Sequence, residues 1–218
     1  MLVYSYYVFF QIAALLVALY QYPKMKGTQY KYFIPYLLFI VVYEIGQLNN
    51  WFVIDHKNLW ITNIAMTISF LFYSFFLLKI IRTFAFKKWI RRAIFLSILC
   101  SIIDVVFIQG FWNLDTIAIL LQLGILTMTT CLYFYELLNY TEETLSIIRL
   151  PAFWLNTGLL FYCLIGFLSF SAFAYLAYKE SREYQLLFDI NADITNIILY
   201  SSLMVTFICL NTRKHLYF

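Results

Sequence analysis

The sequence predicts an all-α, polytopic membrane protein: one domain over residues 1–218, a bundle of seven transmembrane helices with its N-terminus outside and its C-terminus cytoplasmic. Three observations carry this reading. Apolar residues make up 64% of the 218 positions and charged residues only 12%, against roughly 25% charge in a soluble domain. Mean hydropathy is +0.81, so most of the surface needs lipid as its solvent. The apolar residues fall in seven runs, each near the length of about 20 residues that a helix needs to cross a bilayer. Outer-membrane strands would be about half as long and would alternate in polarity.

The first run, Leu2–Tyr22, stops at Pro23-Lys24. It lacks a basic leader and a small-residue cleavage pattern, so it is expected to remain as a span. The second, Tyr32–Ile54, carries Pro35 near its start, where a missing N–H costs little. The third, Trp60–Arg82, is followed by Lys87-Lys-Trp-Ile-Arg-Arg92, the densest basic patch, expected to anchor at anionic headgroups. The fourth, Trp89–Gln109, ends before Gly110, and the fifth is Thr116–Leu138. The long connection Asn139–Leu150 mixes two acids with Leu145, Ile147 and Ile148, as a short interfacial helix or a partner contact would. The sixth run, Ala152–Tyr178, follows Pro151; the seventh, Phe188–Leu210, precedes a basic tail.

The charges are sorted by side. Lys24, Lys26, Lys31, Lys79, Arg82, Lys87, Lys88, Arg91, Arg92, Arg149, Arg213 and Lys214 fall on one side of this map; Lys57, Lys179 and Arg182 fall on the other. The positive-inside bias makes the first side cytoplasmic. Of the acids, Glu136, Glu142 and Glu143 lie with the bases, whereas Glu44, Asp55, Asp104, Asp115, Glu180, Glu183, Asp189 and Asp193 occupy the outer half. The net charge of +4 reflects orientation in the membrane, with no implication of a nucleic-acid partner. Trp51, Trp60 and Trp112 mark the outer boundary and Trp89 and Trp154 the inner one, as aromatic belts do.

Polar residues inside the spans supply the functional expectation. Glu44 lies about 12 residues into the second run, near mid-bilayer by that map; Gln47 shares its face and Asn50 continues it. Asp189, Asp193, Asn196 and Tyr200 fall on one helical face, and Asp104 sits in the outer third of the fourth run. Asn63, Thr67, Gln122 and Gln11 lie at similar depths. Ionisable groups in a span face the bundle interior or a water-filled cavity. The expectation is an outward-facing polar cavity that binds a ligand or proton through Glu44, Gln47, Asn50, Asp104, Asp189, Asp193 and Asn196. The alternatives are hydrogen bonds between helices for the amides and hydroxyls, and a water-exposed helix start for Asp189 and Asp193.

Much chemistry is excluded or demoted. His56 and His215 fall on opposite sides, so they share no metal site. Cys100, Cys131, Cys163 and Cys209 lie at irregular spacing inside spans and read as small apolar residues. The last run has no lysine for a retinal Schiff base, and no phosphate loop or nucleophile motif appears. No cofactor, metal or enzymatic activity is expected. The remaining enzymatic alternative is a lipid hydrolase that pairs Glu44 with Asp104 or Asp193.

The segments Met1–Tyr7, Tyr133–Leu138 and Pro151–Tyr162 give the chain a resemblance to a group of uncharacterised bacterial seven-helix integral membrane proteins, often encoded beside sensor histidine kinases. The resemblance implies the bacterial inner membrane, a sensor-like or accessory role and a membrane-bound kinase or other effector as partner. It transfers no catalytic residue. A chain this short leaves no room for an effector domain beside seven spans, so a signal would leave through a partner. The expected function is therefore a sensor or receptor-like module, as a monomer or an oligomer. The alternatives are a transporter or channel for a small solute or cation, and a structural subunit of a membrane complex.

Overall fold

The computed structural model describes residues 6–54, 57–140, 147–176 and 182–210, and among them it is helical throughout, with no named strand. In order, the α-helices are α1 (Tyr7–Tyr20), α2 (Tyr22–Met25), α3 (Phe33–Leu48), α4 (Leu59–Ile80), α5 (Phe84–Ile103), α6 (Thr116–Tyr140), α7 (Pro151–Leu176) and α8 (Arg182–Cys209). Five segments among the described residues are long and apolar enough to cross a membrane: Gln29–Leu48, Leu59–Ile80, Thr116–Asn139, Pro151–Ala172 and Leu186–Cys209. Helix α1 is a shorter apolar helix. The chain is a multi-pass membrane protein.

Successive long helices run in opposite directions. The start of α1 meets the end of α3 where Tyr7 bonds Glu44. The start of α4 meets the approach to α6 where Asn63 bonds the Asn113 carbonyl. At the other end, the α4–α5 junction meets the last part of α6 through Glu136. Most of the acids among the described residues gather at the first end and the bases at the second; these are the acidic and basic ends below. Helix α1 packs on α3 and α8, α8 on α7, α7 on α6, and α6 on α4 and α5. Aromatic side chains close the remaining gap between α3 and α4: Tyr36 stacks on Phe72 at 4.0 Å and Phe33 meets Phe72 edge-on at 4.8 Å.

Glycine permits the closest helix approach. A Cβ on Gly158 of α7 would run into Ser202 of α8, so this position holds the two backbones together as small residues do in membrane helices. The outer surface remains apolar, as lipid contact requires: Phe95, Leu96, Leu99, Ile102, Val106 and Phe107 form an exposed stripe on α5 and its extension.

Several expected boundaries shift. The second run ends at Leu48, short of Ile54, because Asn49 turns its amide back onto the Ile45 carbonyl and Asn50 adopts φ 56°. That left-handed stop suits asparagine, and the Trp51 N–H then closes on the Gly46 carbonyl at 2.9 Å. Phe52 folds over Gly46 so closely that no Cβ would fit. The fourth run begins at Phe84, ahead of Trp89, because Lys87–Arg92 is itself helical; Lys and Arg are good helix formers. Its far end is a single π-turn, Asp104–Ile108, with the Gln109 N–H bonded to the Asp104 carbonyl. The last helix starts at Arg182, earlier than Phe188. Of the expected interfacial segment, Ile147–Arg149 forms one 3-10 turn, and Thr141–Ser146 lies outside the described residues. Asp55, His56, Lys179, Glu180, Arg213, Lys214 and His215 also lie outside them.

Candidate functional site

Because α3 stops at Leu48, Glu44 stands one turn from its end, not at the middle of a span. The Tyr7 hydroxyl, at the start of α1, donates to Glu44 Oε2 at 2.7 Å. Gln11, one turn further along α1 and wholly buried, lies beside both Glu44 and Tyr200. Neither of its amide atoms completes a hydrogen bond of full geometry. Asp193 of α8, half-buried, acts electrostatically on Tyr7, more weakly than Glu44 does.

Gln47 is already engaged. Its Nε2 donates to Thr62 Oγ1 at 3.0 Å, which also accepts from the Tyr43 hydroxyl, and its Oε1 accepts from Asn58 at 3.1 Å. This ladder ties α3 to the start of α4. Asn50 is exposed in the turn beyond the helix, so the polar stripe ends at Gln47. Asp189 is exposed, and the Asn196 amide is spent on the Ala192 carbonyl of its own helix.

The interior continues from Glu44 as a series of tyrosine hydroxyls, of which the sequence singles out Tyr200 alone. Tyr200 is buried next to Tyr36, Tyr162 and Glu44. Tyr36 donates to Ser69 Oγ at 3.1 Å, and the buried Tyr73 hydroxyl has no hydrogen-bond partner of full geometry. The usable signal was tyrosine where the neighbouring spans use phenylalanine. A hydroxyl costs free energy to bury unless it is bonded, so a deep tyrosine marks a candidate polar position. Toward the basic end an aromatic cluster follows: Phe33 contacts Phe76 at 5.1 Å and Phe207 at 5.6 Å, all three buried, and Tyr30 meets Phe76 edge-on at 5.1 Å.

Asp104 does not join Glu44. It belongs to a second network at the α5–α6 joint, where it faces Asp115. Ser101 Oγ donates to Asp115 Oδ2 at 2.9 Å and the Ala118 N–H to Oδ1 at 3.3 Å. Asn63 of α4 accepts from the Asp115 N–H at 3.0 Å, and the Gln109 amide pairs doubly with Thr116 at 2.8 Å. Thr62 and Asn63, neighbours on α4, thus hold the two polar networks on its two sides. Burial and the adjacent Asp104 push Asp115 up to about 7.

A second residue escaped the sequence reading. Glu136, only 4% exposed on α6, accepts the backbone N–H groups of Arg82 and Thr83, each at 2.8 Å. It caps the start of α5 from a different helix. No disulfide joins the four cysteines. At the basic end a groove of about 490 Å³ is lined by Leu19, Tyr22, Lys31, Tyr32, Ile34 and Pro35, remote from both acidic networks. Lys31 and Lys79 stand at 5.1 and 5.0 Å from the Tyr32 ring. No protein-family model, curated protein or solved structure matches this chain.

Proposed function

We propose that this protein is a seven-helix receptor-like module of a bacterial inner membrane, N-terminus outside, that binds a small cationic or hydrogen-bond-donating ligand at its acidic end. The seven spans would be α1, α3, α4, α5, α6, α7 and α8. The lipid-facing stripe on α5 supports counting that helix, although its first half carries Lys87, Lys88, Arg91 and Arg92.

One observation carries the reading: polar side chains lead inward from the acidic end toward an aromatic cluster. Glu44, Gln11, Tyr200 and Tyr36 supply carboxylate, amide and phenol, and Phe33, Phe76 and Phe207 pack together beyond them. A conducting path would need polar groups or water past that cluster. A dead-ended site suits a receptor better than a transporter, which is the second reading. Ligand bound between Glu44 and Asp193 would compete for the Tyr7 phenol and alter how α1 packs on α3 and α8. A partner at the basic end would read that change.

Purification of the full-length protein in mild detergent, with mass spectrometry of everything that copurifies, tests this. A bound kinase or other effector protein is the expected result. A lone protein that moves solute across proteoliposomes would establish the transport reading instead.

A further inference from the structure

At the acidic end, apart from Glu44, two carboxyls meet with no base between them. Asp104 opens the π-turn after α5 and Asp115 immediately precedes α6; they are 1% and 3% exposed. Asp115 is well supplied with donors, from Ser101 and from the Ala118 N–H, and it stands at the positive end of the α6 dipole. Asp104 is not: both of its carboxyl oxygens are buried without a hydrogen-bond donor. The group within its reach is Asp115, another acceptor. Two turns earlier on α5, the Ser97 hydroxyl is also buried and unpartnered.

Two carboxylates this close in a buried site do not both ionise. One proton resolves the arrangement. A proton held between the two carboxyls turns their contact into a hydrogen bond and gives one of the orphaned Asp104 oxygens a partner. The single remaining charge belongs to the pair, and Ser101, the Ala118 N–H and the helix dipole already face it. A metal ion fits less well. Both Asp115 oxygens already accept hydrogen bonds, and among the described residues no third His, Cys, Asp or Glu joins the pair.

We propose that Asp104 and Asp115 form a one-proton binding site that closes the α5–α6 joint, and that loss of this proton loosens the joint. The surrounding groups are neutral: Asn63 from α4, Ser97 and Ser101 from α5, Gln109 after the π-turn and Thr116 from α6. The charge acting on Asp115 is that of Asp104. With Asp115 pushed up to about 7, occupancy changes in the neutral range. The sign follows from a raised carboxyl: the stabilisation is complete below the ordinary aspartate value and is lost as pH rises through about 7. This site is independent of the Glu44 reading.

Infrared difference spectroscopy across a pH titration tests it, using full-length protein in lipid nanodiscs and a Glu44→Gln background so that Glu44 contributes no band. The expected result is loss of one protonated-carboxyl band with a midpoint near pH 7, and absence of that band in Asp104→Asn. The asparagine amide can donate to Asp115 as the protonated acid would, so this variant should fold. Its Tm should lose the fall with rising pH that the parent shows, and amide exchange at residues 109–118, corrected for intrinsic pH dependence, should no longer rise above pH 7. A band that survives Asp104→Asn, or an unchanged pH dependence of Tm in that variant, overturns the proposal. So does a band displaced by calcium or magnesium at constant pH, which would make the pair a cation site.

Discussion

Glu44 stands out because a carboxylate is not needed to join these helices. Hydrogen bonds between membrane helices contribute on average only about 0.6 kcal/mol, and Gln47, Tyr43 and Thr62 already provide such bonds between α3 and α4. The Tyr7 hydroxyl holds Glu44 at 2.7 Å, an ordinary O–H···O length. Glu44→Gln should therefore leave expression and fold largely intact while removing any response to a cationic ligand; loss of folding alone would make Glu44 structural. Glu136 is the opposite case. It satisfies two backbone N–H groups and lies far from the acidic end, so Glu136→Gln should lower stability by about 2 kcal/mol without changing ligand response. Thermal melts in detergent beside a binding assay separate the two roles. Glu44 was legible in the sequence because a lone acid interrupts an apolar run. Glu136 was counted only as an inner-side charge, because capping of α5 from α6 depends on a contact more than fifty residues away in the chain.

Helix identity was legible in the apolar runs, but helix ends were not. The stop after Leu48 depends on asparagines whose side chains and backbone outweigh the apolar residues that follow. That shift moved Glu44 from mid-span to one turn from the helix end and left Asn50 exposed in the turn beyond it. The π-turn at Asp104 likewise re-aimed an acid toward α6. Two variants probe the packing between elements. Gly158→Leu should force α7 and α8 apart at Ser202 and cost roughly 1–3 kcal/mol, read as a lower Tm. Phe33→Ala should cost about 3–5 kcal/mol, because Phe33 is fully buried among Phe72, Phe76 and Phe207. If the protein still folds, its interior should become leaky to small ions in proteoliposomes.

For the molecule as a whole, composition alone required lipid, and the charge split remains visible as an acidic and a basic end. The tyrosine hydroxyls inside the bundle were not legible as a group, because tyrosine serves belts, cores and polar chains alike, and only tertiary contact distinguishes them. Side-specific thiol labelling tests that interior most directly. All native cysteines are replaced, Tyr200 or Phe207 is changed to cysteine, and cationic and neutral methanethiosulfonate reagents are added separately from each face of reconstituted membranes. The expected result is reaction of Tyr200→Cys from the acidic end only, faster with the cationic reagent, and loss of that preference when Glu44→Gln is added. Phe207→Cys should stay unreactive from either face. Reaction of Tyr200→Cys from both faces, or from neither, would contradict a closed-ended receptor site.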